Sequence, residues 1–125
     1  MNFVLSENAR SLFGTYRGGH EEPVLIDASV DKLFELWQDS QQGHEFLNAP
    51  GGVEDPAKLD LAIAWVSVND TVNAPVVDLG PESGRYLRFR DGRHTLIVLK
   101  GLGHKRIKVA VRENRAAELR KLLAG

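Results

Sequence analysis

A glycine, an arginine and a histidine stand together in the segment FRDGRHTLIVLKGLGHKRIKVAV, residues 89–111. After Asp91-Gly92 the spacing of apolar residues changes from alternating to helical, which predicts a helix that begins near Arg93. The first N–H groups of a helix lack internal partners and lie at the positive end of its dipole, so they attract phosphate. Gly92 permits close approach of a ligand to the backbone, and Arg93 offers a forked donor. His94 is the candidate catalytic acid or base.

The same residues are also compatible with an ordinary helix start. Asp-Gly is a common turn, and Gly-Arg-His triplets occur frequently by chance. An aspartate such as Asp91 more often orders its own turn than holds a metal or acts as a base. The phosphate site and the ordinary helix start therefore stand as alternatives.

Basic residues lie on both sides of the predicted helix. In the alternating segment RYLRFR (85–90), Arg88 and Arg90 share the outward face, and Lys105 and Arg106 precede the next strand. Such a face could contact a nucleic-acid backbone, and the alternative is a solvated charged surface. The four histidines include no HExxH pair, so no metal site is predicted.

Composition limits the classes of function. The chain has 125 residues, 42% of them hydrophobic, with a formal net charge of −1 and no cysteine. This size suits one domain over residues 1–125, and the charge leaves a nucleic-acid role to a local patch. The absence of cysteine excludes thiolate chemistry and fits a reducing cytoplasm. The longest central apolar run, LAIAWV, is too short to span a bilayer, so a cytoplasmic protein without membrane insertion is predicted.

Alternating and helical patterns predict a mixed α+β domain with about four helices. The predicted strands cover residues 23–27, 74–79, 85–90 and 106–111. The predicted helices begin after Ser29, begin at Pro56, cover about 93–102, and cover the C-terminal segment 113–123. The core is expected within residues 23–111.

Three further expectations concern loops and aromatic residues. Residues 16–23 and 81–84 read as a loop and a turn, and residues 41–56 as a mobile loop. The helix from Pro56 is apolar on more than half of its circumference, which predicts substantial burial. Trp37 and Trp65 both lie on apolar helical faces, so both are expected in the core.

The segment YLRFRDGRHTLIVLKGLGHKRIKVAV resembles the signature segment of the ParB/sulfiredoxin-like superfamily, in which a strand leads through a Gly-Arg/His-type turn into a helix, a glycine and a strand. PVLIDASVDKLFELW and NAPVVDL resemble earlier elements of that family, so the resemblance covers residues 23–111. It implies that Gly92, Arg93, His94 and Thr95 bind nucleotide phosphates, with ATP or CTP and Mg²⁺ as candidate ligands. Thr95 replaces an arginine that many members carry at this position.

The resemblance leaves three functions open. The first is a small plasmid- or phage-type domain that binds a nucleotide or nucleic acid, with weak NTPase or nuclease activity as an open question. The second is a non-catalytic protein-interaction module, such as a factor that inhibits plasmid conjugation, which Thr95 favours. The third is a DNA-binding accessory protein. Sulfiredoxin chemistry is excluded because it requires a cysteine.

Overall fold

The computed structural model describes residues 1–7, 9, 15–16, 19–20, 22–40, 43, 56–79 and 87–125. These residues contain four α-helices and eight strands, so the predicted α+β class is confirmed. The helices are α1 (Val30–Gln38), α2 (Pro56–Val68), α3 (Arg93–Gly101) and α4 (Ala116–Leu123). The strands are β1 (Asn2–Val4), β2 (Thr15–Tyr16), β3 (Gly19–His20), β4 (Pro23–Ser29), β5 (Thr71–Asn73), β6 (Val76–Leu79), β7 (Leu87–Asp91) and β8 (Arg106–Arg112).

A four-stranded mixed sheet in the order β4-β8-β6-β7 forms the centre of the fold. β8 is antiparallel to β4 and parallel to β6, and β7 pairs antiparallel with β6 at the edge. One face of the sheet carries the main core, which also takes in side chains from α1, α3 and α4. Its largest fully buried side chains include Trp37, Leu96, Leu99 and Leu119. The core therefore extends past residue 111 into the C-terminal helix.

The other face of the sheet is covered by a smaller apolar cluster. Val76 and Ala110 pack there with Ala9 and Ala74. Successive residues of a strand point to opposite faces, which explains why Ala110 is buried although Val109 and Val111 face the main core.

Local sequence signals explain the start of α1. The Ser29 side chain accepts a hydrogen bond from the backbone N–H of Lys32 at 3.2 Å and so caps the first turn. Val30, Leu33 and Trp37 are buried at helical spacing.

The strand–turn–helix–strand unit predicted for residues 85–111 is present as β7, α3 and β8. Leu87 and Phe89 are buried, and their neighbours on β7 are exposed. Gly103 ends α3 with a φ of 85°, while the N–H of His104 donates to the carbonyl of Leu99. This left-handed glycine with its backward hydrogen bond is the Schellman arrangement expected at a helix C-terminus.

The prediction of a substantially buried helix from Pro56 is wrong. Leu61, Trp65 and Val68 are 71%, 56% and 81% exposed, and Val66 is the buried large side chain among the described residues of α2. Trp37 lies in the core as expected, but Trp65 does not. A helix that is apolar all round offers no polar face to identify its solvent side, so the sequence could not decide which side is buried.

Short strands were also missed. β1 and β5 pair in parallel over three residues each, and β2 and β3 form a small antiparallel pair where a loop was expected for residues 16–23. Strands of two or three residues are too short for alternation to reveal them.

Two predicted segments lie outside the described residues. These are the turn at 81–84 and the mobile loop at 41–56, apart from Gly43 and Pro56. In the part of the chain that is described, the helices are all too short or too polar to cross a membrane.

Candidate functional site

Gly92 joins β7 to α3 and adopts a left-handed conformation with φ 88° and ψ 14°. Its carbonyl accepts the hydrogen bond from the N–H of Leu96 at 2.9 Å, and no side chain caps this helix start. A Cβ atom added to Gly92 would lie 2.7 Å from the Cα atom of Pro75. The glycine is therefore required by its φ and by a close contact with Pro75. This differs from the expected reason, which was approach of a ligand.

A shallow depression of about 240 Å³ lies beside this helix start. Its lining residues come from α2, β7 and α3, and they are Lys58, Phe89, Arg90, Asp91, Gly92, Arg93 and His94. We call it the basic depression because it combines three cationic side chains with one carboxylate. The positive end of the α3 dipole adds to this charge. The arrangement can attract an anion by charge and by forked guanidinium hydrogen bonds.

Arg93 and His94 both line the basic depression, but they differ in burial. Arg93 is partly exposed, whereas His94 is 7% exposed and its Nε2 atom has less than 1 Å² of accessible surface. His94 is one of the three buried residues of α3, together with Leu96 and Leu99. An acid or base must come within hydrogen-bonding distance of the group with which it exchanges a proton. The Nε2 atom could do so only after a local rearrangement.

Thr95 lies apart from Arg93 and His94. It lines a second depression of about 270 Å³ on the other side of the turn. Its remaining lining residues come from α2, the segment around β5, and the turn, and they are Ala62, Trp65, Val66, Asn73, Ala74, Asp91 and Gly92. The two depressions share Asp91 and Gly92, so the four residues predicted to bind phosphate are divided between two adjoining surfaces.

Lys58 and Trp65 were not among the site residues predicted from the sequence. Both belong to α2, which packs against α3 although the two helices are far apart in the chain. Neither residue lies in a recognisable motif. Trp65 was assigned to the core instead, and its indole N–H donates to the carbonyl of Thr71 at 3.2 Å.

The predicted nucleic-acid face is divided in two by the sheet. Arg88 and Arg90 are exposed on the edge strand β7, on the face opposite the main core. Lys105 and Arg106 are exposed at the start of β8, and β6 separates that strand from β7. The guanidinium of Arg106 donates to the carbonyl of Ala124 at 2.9 Å. The four residues therefore form two pairs rather than one continuous patch.

Acidic residues neutralise further cations on this face of the sheet. The ammonium group of Lys108 lies 3.5 Å from a carboxylate oxygen of Asp27. Arg112 donates to Asp78 at 2.9 Å, and the side chains of this pair are only 15% and 12% exposed. These contacts lower the positive potential that a polynucleotide would meet, so they weaken the basic-face hypothesis.

The described residues contain no group of three or more His, Asp or Glu side chains that could hold a metal ion. His20 belongs to β3 and His104 follows α3, whereas His44 lies outside the described residues. Phosphoryl transfer usually relies on a metal or a dense charge clamp. The geometry described here is suited to binding an anion more clearly than to a reaction on it.

The order strand, glycine turn, helix, glycine, strand is the feature that makes residues 85–111 resemble the ParB/sulfiredoxin-like superfamily, and β7, α3 and β8 have this order. The order alone is shared by many α+β folds, so it does not establish membership. The family assignment remains a prediction, since no protein-family model matches the chain and neither the curated proteins nor the solved structures compared with it include a match.

Proposed function

We propose that this protein binds a phosphate-bearing ligand, a nucleotide or a nucleic acid, in the basic depression at the start of α3. The observation that carries the proposal is the convergence of Lys58, Arg90 and Arg93 from three different elements on one depression. Cations that are adjacent in sequence are common on solvated surfaces. Arg90 and Arg93 flank one turn, and tertiary packing brings Lys58 to them beside a helix N-terminus, which forms a better anion site than the two arginines alone.

The carboxylate of Asp91 opposes an anion in the same depression. The three cations outnumber it, and the partial positive charge of the helix start adds to their excess. Asp91 also lines the second depression, where a carboxylate can accept hydrogen bonds from ribose hydroxyls. Its position between the two depressions therefore suits a ligand that has both phosphate and sugar.

The second depression supports a nucleotide over inorganic phosphate. Trp65 offers an aromatic surface, and Asn73 and Thr95 offer polar groups for a base or sugar. Because this depression adjoins the basic one through Asp91 and Gly92, one ligand could occupy both. ATP and CTP, with or without Mg²⁺, are the ligands to test first.

Weak NTPase or nuclease activity is a separate question within this proposal. His94 is the candidate acid or base, and its burial predicts slow turnover at most. We expect His94→Ala to lower any turnover more than it lowers binding. A cytoplasmic location is part of the same proposal, because a cysteine-free chain that binds nucleotides suits a reducing compartment.

The deciding experiment is calorimetric titration of the protein with ATP, CTP and a short single-stranded DNA, each with and without Mg²⁺. Arg93→Ala should weaken binding by about 1.5–3 kcal/mol, the range for a hydrogen bond to a charged group, which corresponds to roughly 10- to 150-fold. Lys58→Ala should also weaken binding of the ligand. Arg120→Ala is the matched control, because it removes an exposed arginine from α4 outside both depressions.

The outcomes separate the hypotheses. Binding that is lost in Arg93→Ala but kept in Arg120→Ala supports the site. Binding of DNA alone, with a steep dependence on salt and no response to Arg93→Ala, would move the function to the basic face. No binding of any ligand by the wild-type protein would contradict the proposal.

A non-catalytic interaction module is the second candidate, and one observation favours it. The outward face of α2 exposes large apolar side chains, which is typical of protein–protein contact surfaces. A small protein that inhibits plasmid conjugation by binding a component of the transfer apparatus would fit this candidate. Retention of the fold together with absence of nucleotide binding would favour it.

A further inference from the structure

Asp91 owes its position to a shift of register in the edge strand β7. Val77 of β6 pairs with Phe89, but the neighbouring Val76 pairs with Asp91, as in a β-bulge. Arg90 and Asp91 therefore take up the length that one residue would occupy in a regular strand. Residues that pair directly across two strands point to the same side of the sheet, so the side of Val76 receives a carboxylate.

The register shift directs Asp91 toward the second depression. Val76, which faces it across the two strands, belongs with Ala74 to the smaller apolar cluster. Ala74 and Asn73 line the second depression together with Asp91, and Asp91 also lines the basic depression. β-bulges are common beside functional sites, where they re-aim a side chain. Of the two residues that line both depressions, Asp91 is the charged one.

The helix α2 runs along both depressions and gives them a direction. Lys58 lines the basic depression, and Trp65 lines the second. Seven positions separate these residues in the helix, which corresponds to about 10 Å along its axis. This span is comparable with the extent of one nucleotide. A phosphate at the Lys58 end and a base at the Trp65 end leave the sugar between them, beside Asp91.

The chemistry of a carboxylate restricts which sugar can lie there. An ionised carboxylate accepts hydrogen bonds but cannot donate them, and the side chain of Asp91 is exposed and can therefore reach a ligand. A ribonucleotide offers two donors on its sugar, the 2′- and 3′-hydroxyls, whereas a deoxyribonucleotide offers one. A sugar inside a DNA strand offers none, because its 3′-oxygen is esterified, and the phosphates on both sides of it are repelled by the carboxylate.

We infer that Asp91 selects a ribose sugar in the ligand of this site and disfavours DNA. The inference rests on the proposed phosphate binding and narrows its ligand from a nucleotide or a nucleic acid to a free ribonucleotide. The phosphate lies at Lys58 and Arg93, the base lies at Trp65, and the sugar hydroxyls donate to Asp91. Hydrogen bonds to a charged group are stronger than those between neutral groups, so the loss of one hydroxyl is measurable.

The test compares ATP, 2′-deoxy-ATP and a short single-stranded DNA by calorimetric titration of the full chain. Mg²⁺ is left out, so that a metal ion held by the phosphates cannot bridge to the carboxylate. The wild-type protein should bind ATP roughly tenfold or more tightly than 2′-deoxy-ATP, since one hydrogen bond to a charged group is lost. The DNA should bind more weakly than either nucleotide.

Asp91→Ala removes the acceptor, so the ratio of the two nucleotide affinities should fall to near one. Binding of the DNA should become tighter, because the repulsion is gone. Asp91→Asn keeps the size of the side chain and should give an intermediate ratio. Asp60→Ala is the matched control, since Asp60 is an exposed aspartate of α2 that lines neither depression, and it should keep the wild-type ratio. A general loosening of the site would weaken both nucleotides together and leave the ratio unchanged.

The outcomes distinguish this inference from the proposed function. Equal affinities for ATP and 2′-deoxy-ATP, both reduced in Arg93→Ala, would retain the phosphate site and overturn the role of Asp91. A preference for ATP that persists in Asp91→Ala would also overturn it, and so would DNA that binds the wild type as tightly as ATP. Absence of binding by all three ligands would refute both the inference and the proposed function.

Discussion

Replacing Gly92 by alanine tests whether this turn is built primarily for the fold or for a ligand. Two features of the structure act against any side chain at this position. The φ of 88° lies in the left-handed region, and an added Cβ would lie 2.7 Å from the Cα and 2.9 Å from the Cβ of Pro75. The first of these neighbours is backbone, so it cannot rotate away as a flexible side chain could.

The size of the effect can be worked out from these two features. A left-handed conformation costs an L-residue about 1–2 kcal/mol relative to glycine. Relief of the contact with Pro75 requires a backbone shift, for which overpacking in a close-packed region costs about 1–3 kcal/mol. Gly92→Ala should therefore lower the free energy of unfolding by about 2–5 kcal/mol, a large part of the 5–15 kcal/mol typical of a domain.

Gly101 at the end of α3 and Gly103 just beyond it provide matched controls. Gly103 has a φ of 85°, but a Cβ added there meets nothing within 4 Å. Gly103→Ala should therefore cost only the conformational term of about 1–2 kcal/mol. Gly101 also has open space and belongs to α3, so Gly101→Ala should cause no loss or a gain of up to about 1 kcal/mol.

Urea denaturation followed by circular dichroism measures the three variants. For a slope of about 2 kcal/mol per molar urea, Gly92→Ala should move the midpoint down by roughly 1–2.5 M, and by clearly more than Gly103→Ala does. Equal losses for Gly92→Ala and Gly103→Ala would refute the role assigned to Pro75. Unchanged stability of Gly92→Ala together with lost nucleotide binding would instead support the original view that the glycine serves the ligand.

Two further pairs of variants test the packing around the site. Asp78→Ala should lower the free energy of unfolding by about 1.5–3 kcal/mol in thermal or urea melts, because it removes a hydrogen bond to the charge of Arg112 in a largely buried position. Asp27→Ala removes an exposed pair and should change the free energy of unfolding by less than about 1 kcal/mol. Similar losses for both would contradict the difference in burial. Trp37→Ala should cost about 3–5 kcal/mol, whereas Trp65→Ala should cost far less and should leave a tryptophan fluorescence that acrylamide quenches poorly. Strong quenching in Trp65→Ala would place Trp37 outside the core.

The sequence predicted the segment from β7 to β8 well because each boundary there has a local cause. Leu87 and Phe89 alternate with arginines, Gly92 interrupts the strand, and Gly103 ends the helix in the left-handed conformation. None of these signals depends on distant residues. The position of the candidate phosphate site at the start of α3 follows from the same local pattern.

The composition of that site could not be predicted in the same way. Lys58 reaches the basic depression because α2 packs against α3. Pro75 fills the space beside Gly92 because it directly precedes the sheet strand β6. Thr95 lies next to His94 in sequence but lines the other depression, since consecutive residues of a helix point in different directions. Contacts between distant segments are a property of tertiary packing, which local spacing does not contain.

The wrong prediction for α2 has a physical cause that also bears on its function. The periodicity of apolar residues identifies a buried face only when the remaining positions are polar, and α2 carries large apolar residues on both sides. A helix of this kind can be stable with only one face covered, but its other face then exposes apolar surface to water at a cost of about 25 cal/mol per Å². An excess of apolar residues over what the fold buries therefore leaves apolar surface exposed, as on the outward side of α2. The apolar pattern that misled the assignment of Trp65 to the core could not distinguish the buried Val66 from the exposed Leu61 and Val68.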